Sequence, residues 1–342
     1  MDVIRGAYYS RFPHSDRVVD LLANPIRKSS QGDYERKWQY FCSFLRERSI
    51  PANAITLPCV LDFLVHLFHD KELQSGTVAH YRSALAVPLK LQYKVDLNDP
   101  AVTTLLRAMS LQRPRVPVAA PVWDLNKVLT YIDGLPMRIN AEYLLQKTAF
   151  LLQLATGWRI SELHACVRDT AFCNILADST LLIRPHPSFL AKNESPEKRW
   201  QHETIKPLLL QDGSPSRLCP VSALQNYLAS TSSIKTGSLF VHHSTGKPLS
   251  IKQLSIAICK LIQRGDHSSG GKVRVHDVRK YASSFSLSET MKASSMINAM
   301  HWRSPHTFWK FYQISTPPLS VEAVLPGTSV PATIPQDSPI HL

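Results

Sequence analysis

The chain has 342 residues, 44% of them hydrophobic and 19% charged, so it can bury substantial cores and is not disordered throughout. The formal net charge is +13, which favours a polyanionic partner, nucleic acid first. We expect neither a membrane protein nor a secreted one, because no apolar run has the length of a bilayer-spanning helix and the N-terminal residues lack a signal-peptide core.

The first 111 residues predict an N-terminal extension (residues 1–29) followed by a small helical bundle (residues 30–111). Apolar side chains recur at helical spacing in four segments of the bundle, and Asp33 is a candidate cap for the first. The segments are the helix that carries Tyr34, Trp38, Phe41, Phe44 and Leu45, then Leu57–Phe68, Thr77–Val87 and Ala101–Leu111.

Residues 112–121 predict a basic linker between two domains. Three prolines stand here together with Arg113 and Arg115, between two helical patterns. Such a segment favours an extended chain.

Residues 122–315 predict a second domain, and the fold class is mainly α with a small β-sheet. Apolar spacing predicts helices at Asp124–Leu135, Ala141–Thr156, Ile251–Arg264 and His276–Leu287, with shorter ones at Ser288–Met300 and Ser304–Tyr312. β-like runs lie at Thr180–Arg184, Thr204–Leu210 and Ser238–His242. Residues 316–342 form a Pro-rich tail, expected to be disordered or to dock on a neighbouring protomer through Val321–Leu325.

The six cysteines are scattered, with no C-x-x-C pair and no histidine at zinc-finger spacing. Without a secretory signal, we expect reduced thiols and an intracellular location. A disulfide-stabilised secreted domain and a zinc finger are both poor interpretations.

The segment ATGWRISEL, residues 155–163, combines a helix stop at Gly157 with Arg159 and, three residues later, Glu162. An arginine held at a helix start beside a carboxylate is well placed to bind a phosphate, because its planar fork can bond two oxygens. A simple surface ion pair would explain the same spacing.

The segment VHDVRKY, residues 275–281, places His276 and Arg279 three residues apart, on one face of a predicted helix. They would offer a titratable group and a fixed cation to the same anion. A solvated helix face is the alternative interpretation of this pair.

The aromatic segment AMHWRSPHTFWKFY, residues 299–312, has His301 and Trp302 near its start and Tyr312 at its end. Tyr312 lies where the folded pattern gives way to the Pro-rich tail, so a mobile segment could deliver it as a nucleophile. An aromatic core helix is the alternative for the rings between them.

Residues 189–206 predict a turn region between two short strands, with Lys192 at the end of the first strand. A hairpin lysine can reach into a groove and donate a proton. Lys192, Lys198 and Lys206 compete for this role, and each could equally be a surface lysine.

Four segments, taken in chain order, resemble the catalytic domain of tyrosine recombinases, the DNA strand-exchange integrases. They are ATGWRISEL, the hairpin lysine, HDVRKY and HWRSPHTFWKFY. Upstream, SGTVAHYRSAL, which contains Tyr81 and Arg82, looks like the DNA-contacting helix of the family's core-binding domain. The resemblance covers roughly Ser30 to Ser315. The segment HWRSPHTFWKFY is most similar to the recombinases of eukaryotic mobile elements, the DIRS/Ngaro retrotransposons and cryptons.

The resemblance implies a role for each matching residue. Tyr312 would be the nucleophile that forms a 3′-phosphotyrosyl bond, with Tyr281 the next candidate. Arg159 and Arg279 would hold the non-bridging phosphate oxygens, and His276 would act as general acid and base.

Supporting roles follow from the same resemblance. Lys192, or else Lys198, would protonate the leaving 5′-oxygen, and Glu162 would orient the neighbouring basic side chains. Trp302 would donate its indole N–H to the phosphate, with His301 the alternative donor.

The resemblance also implies partners and assembly. A homotetramer in the nucleus would bind double-stranded DNA at element termini and at a target site. The residues that contact the DNA would include Tyr81, Arg82, Arg113 and Arg115. The protein would be a monomer or weak oligomer without DNA, and strand exchange would need neither metal nor ATP, so no cofactor is expected.

Two other functions compete with this interpretation. One is a DNA-binding protein that descends from such an enzyme but no longer cleaves, although every catalytic position here carries a chemically competent residue. The other is a type IB topoisomerase, which shares the chemistry but relaxes supercoils as a monomer. A basic scaffold would explain the charge and none of the four segments.

Overall fold

The computed structural model describes residues 2–11, 15–23, 28–114, 121–136, 139–192, 194, 201–267 and 270–289. The chain divides into two compact units, Met1–Pro117 and Val118–Leu342. The architecture is mostly helical with one small sheet, as the sequence predicts. None of the helices in the described part is both long and apolar enough to cross a membrane.

Helices are the only regular secondary structure among the described residues of the first unit. Its helices are α1 (Asp2–Arg11), α2 (Asp16–Ala23), α3 (Lys28–Glu47), α4 (Leu57–His69), α5 (Ser75–Tyr93) and α6 (Pro100–Gln112), with a short 3-10 helix at Ala52–Ala54. The predicted extension contains α1 and α2, and α1 packs on α3 and α5. A core of aromatic and aliphatic side chains, with Phe41 and Phe63 at its centre, joins α3, α4 and α5.

Two details of this unit differ from the sequence prediction. Asp33 is not a cap, because α3 already begins at Lys28 and the Asp33 carboxylate instead pairs with Lys37 one turn later, at 2.5 Å. Helix α5 also continues through Pro88, which is buried, and ends only where Lys94 adopts a left-handed conformation with φ +58°.

The second unit surrounds a central helix. Its elements are α7 (Leu125–Asp133), α8 (Ala141–Thr156), α9 (Ile160–His164), β1 (Cys173–Ile175), β2 (Leu181–Ile183), β3 (Glu203–Ile205), α10 (Pro220–Ser230), α11 (Ile251–Gly265) and α12 (His276–Glu289). Helix α8 contacts α9, α10, α11 and α12, and is therefore buried on several sides.

The sheet of the second unit is antiparallel in the order β1-β2-β3, with Cys173 opposite Ile183 and Leu181 opposite Ile205. Strand β3 is shorter than the predicted strand Thr204–Leu210. In the predicted strand Ser238–His242 the structure has only isolated β-bridges. Strand β1 and helix α10 were not predicted. The predicted helices at Ser288–Met300, beyond Glu289, and at Ser304–Tyr312, together with the Pro-rich tail, lie outside the described residues.

Candidate active site

The candidate site starts at the turn between α8 and α9. Helix α8 ends at Gly157, whose φ of +61° is a left-handed conformation that glycine adopts without a Cβ clash. The Gly157 N–H donates to the Gln153 carbonyl at 2.9 Å, which closes the last turn. Arg159 follows in extended conformation and is the N-cap of α9.

The contacts of the site converge on the Glu162 carboxylate, which is fully buried. Its Oε2 accepts the main-chain N–H of Arg159 at 2.7 Å, and its Oε1 accepts Nη1 of Arg159 at 2.8 Å. Nη1 of Arg279 lies 3.8 Å from Oε2. The spacing of Arg159 and Glu162 in the sequence therefore corresponds to a direct contact, and a second guanidinium joins it from α12.

Arg279 is a buried cation, with 1% of its side chain exposed. Its Nη1 donates to the Gly157 carbonyl at 2.5 Å, so the helix α12 is tied to the turn that carries Arg159. The Arg159 side chain is 18% exposed and keeps some access to solvent. Two guanidiniums thus share one carboxylate, and their combined charge exceeds that of the carboxylate by one.

His276 begins α12, one turn before Arg279, and is exposed. Although solvent reaches the imidazole, the protein packed around it lowers its pKa, and the positive charges of Arg279 and Arg159 lower the pKa further. A lowered pKa favours the neutral ring at pH 7, and a neutral imidazole can accept a proton. It can also orient a ligand held by the guanidiniums.

Lys192 lies in the segment between β2 and β3, as the sequence predicts, but it does not end a strand. Strand β2 ends at Ile183, and Lys192 stands well beyond it, exposed in a turn whose Ala191 N–H donates to Glu194 at 2.9 Å. The prediction that it ends the first strand is wrong, because that strand is only three residues long. Lys206 follows β3 and is also exposed, and Lys198 lies outside the described residues.

The other predicted catalytic residues, His301, Trp302 and Tyr312, lie outside the described residues and stay predictions. Tyr281, the alternative nucleophile, donates its hydroxyl to the Trp123 carbonyl and packs on the Trp123 ring at 4.6 Å. Its partial burial raises the pKa of the phenol. A bonded, neutral phenol makes a poor nucleophile.

Three of the predicted DNA contacts hold the first unit together. Arg82 donates to the Leu97 carbonyl at 2.7 and 3.0 Å, and the Tyr81 ring packs in the aromatic core. Arg113 donates to the Leu73 carbonyl at 3.2 Å. DNA contact by these residues stays a prediction, and Arg115 lies outside the described residues.

Two features near the site were missed by sequence reasoning. Lys280 pairs with Asp277 at 3.0 Å, and both side chains are buried. Gln153 is 1% exposed, and its Nε2 donates to the Trp158 carbonyl at 3.3 Å. A glutamine within a run of leucines on a buried helix was the available signal for the second. Among the described residues, no group of three or more histidine, cysteine or acidic side chains is arranged to hold a metal ion.

No protein-family model matches the chain, and no curated protein matches it. Solved structures do. The chain is similar to XerH site-specific recombinase bound to palindromic difH substrate in a post-cleavage complex, with 15% identity, a TM-score of 0.59, and coverage of 84% of this chain and 77% of that one. It is similar to the Tn1549 transposon integrase in complex with transposon right-end DNA, with 14% identity, a TM-score of 0.54, and coverage of 92% and 95%.

A third likeness is to a lambda integrase dimer bound to a COC′ core site, with 14% identity, a TM-score of 0.52, and coverage of 90% of this chain and 79% of that one. At these identities the likenesses concern the fold. The chain has the mostly helical fold with a small sheet that is found in tyrosine recombinases.

Proposed function

We propose that the chain is a tyrosine recombinase that cuts and rejoins DNA strands through a 3′-phosphotyrosyl intermediate. One observation carries the proposal: the guanidiniums of Arg159 and Arg279 converge on the buried Glu162, and His276 lies one helical turn before Arg279 on α12. Two fixed cations around one carboxylate leave net positive charge for a phosphate, and a neutral imidazole supplies a proton acceptor. The recombinase-like fold supports the same reaction class.

In the proposed reaction, the Tyr312 phenol oxygen attacks the scissile phosphorus and forms the P–O bond to the enzyme. The bond from phosphorus to the 5′-oxygen breaks, His276 accepts the phenolic proton, and Lys192 supplies a proton to the leaving 5′-oxygen. Arg159 and Arg279 stabilise the charge on the non-bridging oxygens. A 5′-hydroxyl of the partner strand then attacks the phosphotyrosine, and the steps run in reverse.

The supporting roles follow the same scheme. Glu162 orients both guanidiniums, and the indole N–H of Trp302, or the His301 imidazole in its place, donates to the phosphate. The phosphodiester energy is kept in the covalent intermediate, so the proposed reaction needs no ATP. The guanidiniums of Arg159 and Arg279 neutralise the phosphate charge in place of a metal ion.

The proposal extends to partners and setting. Residues 30–111 and a catalytic domain at residues 122–315 would each contact double-stranded DNA, and the basic linker would join them. Four protomers would act on two DNA sites, assembled through the tail that contains Val321–Leu325. The aromatic segment at residues 299–312 favours a eukaryotic mobile element of the DIRS/Ngaro or crypton type, integrated or excised in the nucleus.

The test is covalent capture of DNA. The purified chain is incubated with EDTA and a set of duplex fragments that tile the DNA flanking its gene, each nicked at successive positions, then denatured and separated on a gel. We expect a protein–DNA band with the wild type and with Tyr281→Phe, and none with Tyr312→Phe. Salt-sensitive DNA binding without any band would favour the non-cleaving DNA-binding protein.

Plasmid relaxation separates the remaining alternative. A type IB topoisomerase relaxes supercoiled plasmids of unrelated sequence as a monomer, whereas the proposed recombinase requires paired sites. Relaxation at a rate first order in protein, on any plasmid, would refute the recombinase and retain the tyrosine chemistry.

A further inference from the structure

Both guanidiniums of the site depend on one tight turn, residues 156–159 between α8 and α9. Gly157 presents its carbonyl to Arg279 at 2.5 Å, and Arg159 begins the next helix two residues later. A shift of this turn therefore moves both guanidiniums together.

Gln153 bonds the turn from its main chain and from its side chain. Its carbonyl accepts the Gly157 N–H at 2.9 Å, and its Nε2 donates to the Trp158 carbonyl at 3.3 Å. Gln153 and Trp158 are each only 1% exposed, so this bond lies inside the core and does not compete with water.

A glutamine is an unfavourable choice for this position as far as packing is concerned. Its neighbours on α8 are Leu151, Leu152 and Leu154, and its Oε1 accepts no hydrogen bond within the part of the chain that the structure describes. A buried polar atom without a partner destabilises the fold, so an apolar side chain would suit the core better. Such a replacement would remove the amide donor from the Trp158 carbonyl.

We propose that Gln153 is a positioning residue, whose amide fixes the turn 156–159 and so holds Arg159 and Arg279 where both can bind one phosphate. The catalytic consequence rests on the proposed function. The positioning itself does not, because it concerns only where the two guanidiniums lie.

His276 reports on that positioning without any reaction. The charged groups that act on its imidazole are Arg279, Arg159 and Lys280, which lower its pKa, and Asp277, which raises it. Desolvation by the protein packed around the ring lowers the pKa most. If the turn loosens and the guanidiniums move away from the imidazole, the pKa of His276 rises toward its ordinary value.

The experiment compares four full-length proteins: the wild type, Gln153→Leu, Gln153→Met and Gln146→Leu. The two Gln153 variants remove the donor with different side-chain shapes, in case one of them does not fold. Gln146 is a matched control on the same helix, also 1% exposed, but its amide bonds Glu142 at 2.9 Å and Arg264 at 2.6 Å, away from the turn. Each protein is titrated by NMR for the pKa of His276 and assayed for capture of nicked duplex DNA from the region flanking the gene.

We expect both Gln153 variants to raise the pKa of His276 and to slow capture by about 10- to 100-fold, whereas Gln146→Leu changes neither. An unchanged His276 pKa in the Gln153 variants would overturn the inference, and so would an equal effect of Gln146→Leu. If the wild type captures no DNA but the pKa still rises only in the Gln153 variants, the positioning role stands and the proposed function fails.

Discussion

The substitution Glu162→Gln tests whether the buried carboxylate holds the site together. Glutamine keeps the shape and an acceptor for the Arg159 N–H, but it removes the negative charge and leaves Arg279 buried at 1% exposure. The Coulomb attraction at 3.8 Å is about 4 kcal/mol for an effective dielectric constant of about 20. Because removing the carboxylate charge also relieves its own desolvation cost, we expect the free energy of unfolding to fall by about 3 kcal/mol.

The matched control is Glu142→Gln in the same unit. The Glu142 side chain is 46% exposed and pairs with Lys260 at 3.6 Å, a surface ion pair worth at most about 1 kcal/mol. Urea unfolding followed by tryptophan fluorescence reports on this unit, since Trp123 and Trp158 are both buried in it. If Glu162→Gln loses no more stability than Glu142→Gln, the guanidiniums do not depend on the carboxylate, and the account of the site is wrong.

Three further predictions concern stability. The folded state lowers the pKa of His276 below its ordinary 6.5, so the folded chain binds fewer protons there than the unfolded chain. The free energy of unfolding should therefore decrease as the pH falls below about 6.5 in urea unfolding, and His276→Gln should reduce this pH dependence. In thermal unfolding, Gly157→Ala should lower the free energy of unfolding by about 1–2 kcal/mol, because φ at Gly157 is +61°. The control Gly134→Ala, at a φ of −76°, should change it little in the same assay. In urea unfolding, Arg168→Met should lower the free energy of unfolding by about 3 kcal/mol. Arg168 donates to the carbonyl and the hydroxyl of Thr231, each at 2.9 Å, and both acceptors would lose a donor. A loss below about 1 kcal/mol would contradict this.

Helices were predictable from the sequence where a long apolar repeat ended at a clear signal. The prediction Ala141–Thr156 matches α8 because Asn140 caps its start and Gly157 ends it. Strand β1 has only three residues, too few to display alternation. Helix α10 has a cysteine as its N-cap, a residue that does not signal a helix start, so Pro220 at its first position was the available signal.

The candidate site was predictable where its contacts are local. Arg159 and Glu162 are three residues apart, so their contact could be anticipated from helical spacing. The bond from Arg279 to Gly157 spans 122 residues, and no local pattern indicates it. For Arg82 the sequence shows an exposed-looking cation, whereas the Leu97 carbonyl that binds it becomes available only when the chain folds back.

The long-range bond between Arg279 and Gly157 determines when the site can fold during synthesis of the chain. A nascent chain that has released α8 and α9 already contains Arg159 and Glu162, but its second guanidinium is still to be synthesised. Closing the intervening loop costs about 4 kcal/mol of chain entropy, which is recovered only when α12 packs on α8. Ribosome-bound intermediates and fragments that end before α12 therefore contain only one of the two guanidiniums that converge on Glu162 in the folded protein.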